Sequence, residues 1–328
     1  MTTDAFASDI PNEERSRSTG RDGYLELVRR LSHQSVAKHF DAYADIPWDD
    51  PEYEIDPEDP RWELSQDDPL GATEWYRSRP EEMRARLGLH TVATFMKIGA
   101  QFENVLQRGL LEFAWRLPNG SAEFRYAYHE VIEEGQHSLM FQEFVSRTGF
   151  DVKGLPRWQR LASRRVVAHA RRFPALFFVF VLGGEDPIDH VQRQMLRSGR
   201  ELHPLLRRIM QIHVTEEARH LCFARHYLRQ NVPRMNGAAR AALAIGAPIV
   251  LGQMAQLMMR VSPQIVREYR IPRRVLDEAY RRSQIGRRNK LEALAKVREL
   301  CDELGIVTPW SRPIWQWSGI WSEAPAAA

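Results

Sequence analysis

The sequence predicts an all-α fold: a four-helix bundle core with additional flanking helices and an extended N-terminal arm. Three observations predict it. Apolar residues recur at helical spacing along most of the chain. Between residues 80 and 230 lie four long stretches of this kind, bounded by proline, glycine or capping residues. No region is rich enough in strand-forming residues to make a sheet.

In order along the chain, residues 1–21 are polar and are expected to be frayed, as are the last seven, 322–328. A first helix is predicted over Asp22 to Phe40. The stretch from Ile46 to Pro80 is acidic and dense in proline, which forbids a long helix. It reads as an arm lying over the body, anchored by Trp48, Tyr53, Trp62, Trp75 and Tyr76. The first long helix starts at Pro80 and runs to Leu117, where Pro118-Asn119-Gly120 stops it. The second takes Ser121 as N-cap and runs to Thr148, ending at Gly149. An arginine-rich connector, Pro156 to Arg172, is predicted as a short crossing helix. The third long helix covers Ala175 to Arg197 and the fourth Leu205 to Gln230. Outer helices are expected at Ala238–Val261, Arg273–Arg282 and Gly286–Leu304, followed by a tryptophan-rich tail from Trp310 to Trp321.

Composition narrows the function classes. With Lys+Arg at 46 and Asp+Glu at 43, the net charge of +3 gives no support to a nucleic-acid partner. Arginine dominates the cations, and the run Arg157 to Arg172 repeats at helical spacing, as a solvated face does. Two cysteines, Cys222 and Cys301, lie far apart, which excludes a disulfide framework and fits a reducing cytoplasm. The N-terminus has no basic region followed by an apolar stretch, so no secretory signal is read. From Ala241 to Met259 the chain carries no charge, a span long enough for a bilayer. Pro248, Gly246, Gly252, Gln253 and Gln256 interrupt it and its flanks lack aromatic belts, so it reads as a buried helix and no membrane is expected. The same apolar helix is the basis for expecting a homodimer.

The chemistry sits in the long helices. The second contains Glu133-Glu134-Gly135-Gln136-His137 and the fourth Glu216-Glu217-Ala218-Arg219-His220. Each holds Glu-x-x-His, which puts carboxylate and imidazole one turn apart on one face. A four-helix dimetal site needs two such helices and one further Glu from each of two others. Glu103 supplies one, on a stripe otherwise made of Met96, Gly99, Ala100, Leu106 and Leu110. Glu185 supplies the other, just after Phe177-Phe178-Val179-Phe180-Val181-Leu182. Carboxylates in such surroundings are costly unless a cation neutralises them.

Spacing adds an independent argument. Glu103 to Glu134 is 31 positions (134 − 103), and Glu185 to Glu217 is 32 (217 − 185). Two helix pairs thus present the same pattern in nearly the same register. His213 lies one turn before Glu217, on the face shared with His220. By spacing alone it is equally a ligand or a core histidine bonded to a carbonyl. Nitrogen and oxygen ligands without cysteine suit iron, with manganese as the alternative, and argue against structural zinc. Glu133 and Glu216 stand beside the ligands as hydrogen-bond partners for the histidines or as exposed helical glutamates. Asp189 or His190 is a further second-layer candidate against a capping or pairing role. Tyr126 and Tyr128 read as core packing.

The set Glu103, Glu134-x-x-His137, Glu185 and His213-x-x-x-Glu217-x-x-His220 resembles the p-aminobenzoate N-oxygenase family of ferritin-like diiron enzymes. The extra histidine before the second Glu-x-x-His distinguishes that family from other ferritin-like carboxylate proteins. All seven positions are filled, and the match covers roughly residues 80–230. The resemblance implies that His213 is a metal ligand; residues 22–321 are read as one helical diiron domain. Within it the arm takes 22–79, the metal core about 80–230, and the outer helices and tail 231–321. It implies two iron ions with O2 as co-substrate, and a monooxygenase of specialised metabolism that oxidises an arylamine nitrogen or hydroxylates carbon. Electrons are expected from a separate reductase or ferredoxin-type carrier, because no glycine-rich dinucleotide fingerprint is present. Iron storage or scavenging by a ferritin-like protein is the alternative. The segment before Glu103 (Phe95, Met96, Ile98) offers no arginine for a benzoate carboxylate, and Asp186-Pro187-Ile188-Asp189 departs from the arylamine enzymes. Both departures point to a more hydrophobic substrate, including one carried as a thioester.

Overall fold

A computed structural model describes residues 20–321. The expected frayed ends, 1–21 and 322–328, fall almost wholly outside the described residues. Helix α1 (Arg21–Ala37) is followed by the arm, in which single 3-10 turns at Pro51–Tyr53 and Pro60–Trp62 precede the short α2 (Glu74–Arg77). The bundle is made by α3 (Glu81–Ala114), α4 (Ala122–Arg147), α6 (Pro174–Arg197) and α7 (Pro204–Asn231), with α5 (Arg157–Arg172) as the crossover. Outside lie α8 (Gly237–Met258), α9 (Pro263–Glu268), α10 (Arg273–Asp277), α11 (Gln284–Ala293), α12 (Ala295–Glu303) and α13 (Arg312–Trp317). There is no strand among the described residues.

The topology follows from loop length. Short turns join α3 to α4 and α6 to α7, so each pair is an antiparallel hairpin; the long connection through α5 then carries the chain between the pairs. The helices close a ring in which α3 meets α4 and α6, and α7 meets α4 and α6. Local signals set the boundaries. The Ser121 hydroxyl accepts from the Phe124 N–H, capping α4, and Gly149 ends it with φ 67°. Gly184 permits a close approach: a Cβ built there would lie 2.0 Å from the Phe102 ring. That brings α6 hard against α3 beside Glu103 and Glu185.

The arm behaves as the aromatic residues suggest. Trp48, Trp62 and Tyr76 are buried, and Tyr53 and Trp75 are half-buried. The Trp48 indole N–H donates to the Ala42 carbonyl at 2.7 Å, and Trp62 stacks on His203 with ring centres 4.3 Å apart.

Some expectations need correction. The helix expected over Gly286–Leu304 is two helices, broken at Leu294. The one expected over Arg273–Arg282 turns into a π-helical segment at Glu278–Arg282. Tyr126 is core, packed on Phe223, but Tyr128 is 42% exposed and packs on Phe124 at the surface rather than in the core. Helix α8 is long and apolar enough to cross a membrane by length and composition, and half of its apolar window is buried. It packs on α6 and α13. Helix α5 buries Ala170 and turns its arginines outward.

Candidate metal centre

The core helices bring Glu103, Glu134, His137, Glu185, His213, Glu217 and His220 together, each at 0–1% exposure. Glu103 comes from α3, Glu134 and His137 from α4, Glu185 from α6, and His213, Glu217 and His220 from α7. Helical pitch explains the convergence: residues at i, i+4 and i+7 share one face, and each bundle helix turns that face inward.

Both histidines of the paired motifs point the same ring nitrogen at the shared carboxylates. His137 Nδ1 lies 3.0 Å from Glu134 Oε2 and 3.5 Å from Glu217 Oε1. His220 Nδ1 lies 3.0 Å from Glu134 Oε1 and 3.1 Å from Glu217 Oε1. Their Nε2 atoms turn outward to carboxylates of the opposite helix. His137 Nε2 is 2.9 Å from Glu216 Oε2, and His220 Nε2 is 2.7 Å from Glu133 Oε2. The exchange is reciprocal, α4 to α7 and α7 to α4. A carboxylate on the outer nitrogen fixes ring and tautomer, leaving the inner nitrogen free to bind a metal. Of the two readings of Glu133 and Glu216, the hydrogen-bonded one is therefore the geometry present.

His213 sits with ring centres 4.6 Å from His137 and 5.3 Å from Phe141. Its Nε2 is 3.7 Å from Glu103 and 3.8 Å from Glu217, and neither ring nitrogen has a hydrogen-bond partner. That removes the carbonyl-bonded core histidine. The carboxylate oxygens of Glu103 and Glu185 are likewise buried without partners. Such orphaned donors gather within 4.8 Å of one another in several overlapping groups. Rich in oxygen and nitrogen, and with no lysine or arginine among the converging atoms, the donor set fits two iron ions.

Electrostatics show how the groups of the cluster act on one another. Burial, reinforced by neighbouring carboxylates, pushes Glu103 and Glu185 well above the usual carboxylate range. Burial works upward on Glu134 too, but His220 and His137 override it and hold that carboxyl well below the range. Burial opposes protonation of His137, yet its hydrogen bonds to Glu134 and Glu216 raise it to about 10. Burial, aided by the charge of His137, drives His213 well below the ordinary histidine value.

Sequence reading passed over three contributors. Arg219 donates to Glu133 Oε1 at 2.9 Å and lies 3.6 Å from Glu216, tying the two outer carboxylates together. The arm closes this side, with the Phe40 N–H on Glu216 at 3.1 Å and the Ala42 N–H on Gln136 Oε1 at 2.8 Å. Glu130 is buried beside Glu134 and His220. Its signal was present, since it lies one turn before Glu134 as His213 lies before Glu217. Asp189, by contrast, pairs with Arg193 at 2.7 Å, and Arg193 donates onward to the Val214 carbonyl. Asp186 pairs with Arg225.

A bundle interior with carboxylates from all four helices and imidazoles on two defines the ferritin-like diiron class. Within it, the chain belongs to the P-aminobenzoate N-oxygenase AurF family, whose model matches residues 21–305. It is 40% identical over 293 residues to the uncharacterized protein MT0908 of Mycobacterium tuberculosis, covering 89% of this chain and 86% of that one. The uncharacterized protein Mb0909 of Mycobacterium bovis matches with the same identity and coverage. No solved structure matches the chain significantly.

Proposed function

We propose that this protein is an O2-dependent non-haem diiron monooxygenase that inserts oxygen into a small organic substrate. One observation carries this: a cluster of buried acids and imidazoles converging from four helices, several with every polar atom orphaned, which bound metal cations would satisfy. Glu103, Glu134, His137, Glu185, His213, Glu217 and His220 are the residues that would hold the two irons. When bound, the irons supply the O2 activation and redox chemistry that no side chain here provides.

The chain's own residues have distinct tasks. Glu133 and Glu216 hold the two imidazoles in orientation, and Arg219 holds those carboxylates in turn. Phe141 against His213, and Phe102 against Phe180 with ring centres 5.1 Å apart, give the interior an apolar lining. This lining, together with the missing arginine before Glu103, supports a hydrophobic substrate. The reaction is N-oxygenation of an arylamine or hydroxylation of carbon, including on a thioester-carried acyl group. Electrons come from a separate reductase or ferredoxin-type carrier. Two cysteines, neither in a disulfide, support a cytoplasmic site of action.

The test is to load purified protein with ferrous iron without oxygen, reduce it, admit O2, and follow visible absorption. Two irons per chain and a transient band whose decay quickens with arylamines or hydrophobic acyl substrates are expected. Iron mineralising into large clusters would instead indicate storage, and a metal-free protein would sink the proposal.

A further inference from the structure

Helices α4 and α7 carry the same register. On α7 it reads His213, Glu217, His220; on α4 it reads Glu130, Glu134, His137, again at i, i+4 and i+7. The two faces meet across the bundle, and the known-type ligands occupy the last two positions of each. The first position holds an imidazole on one helix and a carboxylate on the other.

Glu130 is 1% exposed, and neither of its oxygens has a hydrogen-bond partner. One of its oxygens stands within 4.8 Å of donor atoms of both Glu134 and His220. It groups with none of Glu103, His137 or His213, which form a separate set. The nearby arginine, Arg219, is committed to Glu133 and Glu216. The Tyr126 hydroxyl, one turn earlier on α4, is buried and makes no hydrogen bond to it. An isolated buried carboxylate of this kind is among the costliest groups a core holds. Nothing in the packing of α4 demands it, since a glutamine or leucine would fill the same volume.

We propose that Glu130 is an eighth metal ligand, bound to the cation beside His220, as His213 serves the cation beside His137. This rests on the dimetal reading of the cluster. The two metals then differ in kind: one gains a neutral nitrogen donor at this position and the other an anionic oxygen. The site is asymmetric, with the harder, more negative environment on the His220 side.

The experiment uses the full chain as wild type, E130Q and E130L, with iron-57 added anaerobically. Iron affinity is read by competition with a chelator, the two iron environments by Mössbauer spectroscopy, and stability by thermal melting with and without metal. In E130Q one quadrupole doublet is expected to change while the other stays, and one iron to bind 10- to 100-fold more weakly. The metal-free variants should melt at or above wild type, because a buried carboxyl group with no hydrogen-bond partner is gone. The metal-loaded ones should melt below it. Unchanged doublets and unchanged affinity in E130Q, with wild type binding two irons, would overturn this assignment alone. Equal losses of melting temperature with and without metal would also overturn it, marking Glu130 as structural. A variant too unstable to purify metal-free counts as the same structural result. Wild type failing to bind two irons would instead overturn the dimetal reading beneath it.

Discussion

The arm and the bundle interior are both rich in acids, and they treat them in opposite ways. In the arm several aspartates are satisfied within a few residues by their own backbone. Asp50 accepts from the Glu52 N–H at 2.9 Å, Asp59 from Arg61 at 2.8 Å, and Asp68 from Leu70 and Gly71 at 2.8 and 2.9 Å. These are Asx turns, placed beside prolines that forbid helix. In the interior, Glu103, Glu130 and Glu185 sit in regular helices whose N–H groups are already used, so no local donor is left for them. The same functional group builds structure in one place and awaits a ligand in the other. Local satisfaction is thus a sign of architecture, and burial without satisfaction is a sign of function.

The contrast can be broken from either side. The largest effect is expected from Glu217→Ala and Glu134→Ala, whose carboxylates lie between both histidines. Iron per chain should fall from two to one or fewer while far-ultraviolet circular dichroism stays helical; full iron content in both would erase the distinction. Removing metal should come next. At free iron about 100-fold above Kd, binding adds about 2.7 kcal/mol per site, so calorimetry with and without chelator should show a melting point lower by several degrees. Coincident melts would mean that the interior acids need no cation. Glu216→Ala and Glu133→Ala, which free His137 or His220 to rotate, should each weaken iron binding about 10- to 100-fold without abolishing it. Chelator competition measures that.

Smaller effects come from packing and from the arm. Gly184→Ala forces a methyl into the Phe102 ring, and should lower stability by about 1–3 kcal/mol in urea titrations. Asp59→Ala should cost about 1 kcal/mol and leave iron content untouched. Its pH dependence has a definite sign. Burial works upward on Asp59, but the Arg61 side chain and N–H hold its carboxyl below the ordinary range. A carboxyl lowered in the folded state contributes stability above its unfolded value of about 3.9 and loses it as pH falls through the folded value. Urea midpoints of wild type and Asp59→Ala should therefore converge as pH drops below about 4. Divergence there would show that the arm's acids are not held as described.

The bundle was legible in the chain because its determinants are local. The cap at Ser121, the stops at Pro118-Asn119-Gly120 and Gly149, and the 3.6-residue period fix four helices without reference to anything distant. The doubled Glu…Glu-x-x-His register, 31 and 32 positions apart, was equally readable, since carboxylate and imidazole one turn apart share a face in any helix. Where local signals weakened the reading slipped, as at Leu294, where a continuous periodicity hides a break. What only the folded chain decided is which partner each side chain meets. Whether Glu216 faces His137 or solvent, whether Asp189 turns to Arg193 or the cluster, and how the arm lands on Glu216 depend on contacts across many residues. Periodicity assigns a residue to a face. Only the packing of one helix on another decides what that face looks at.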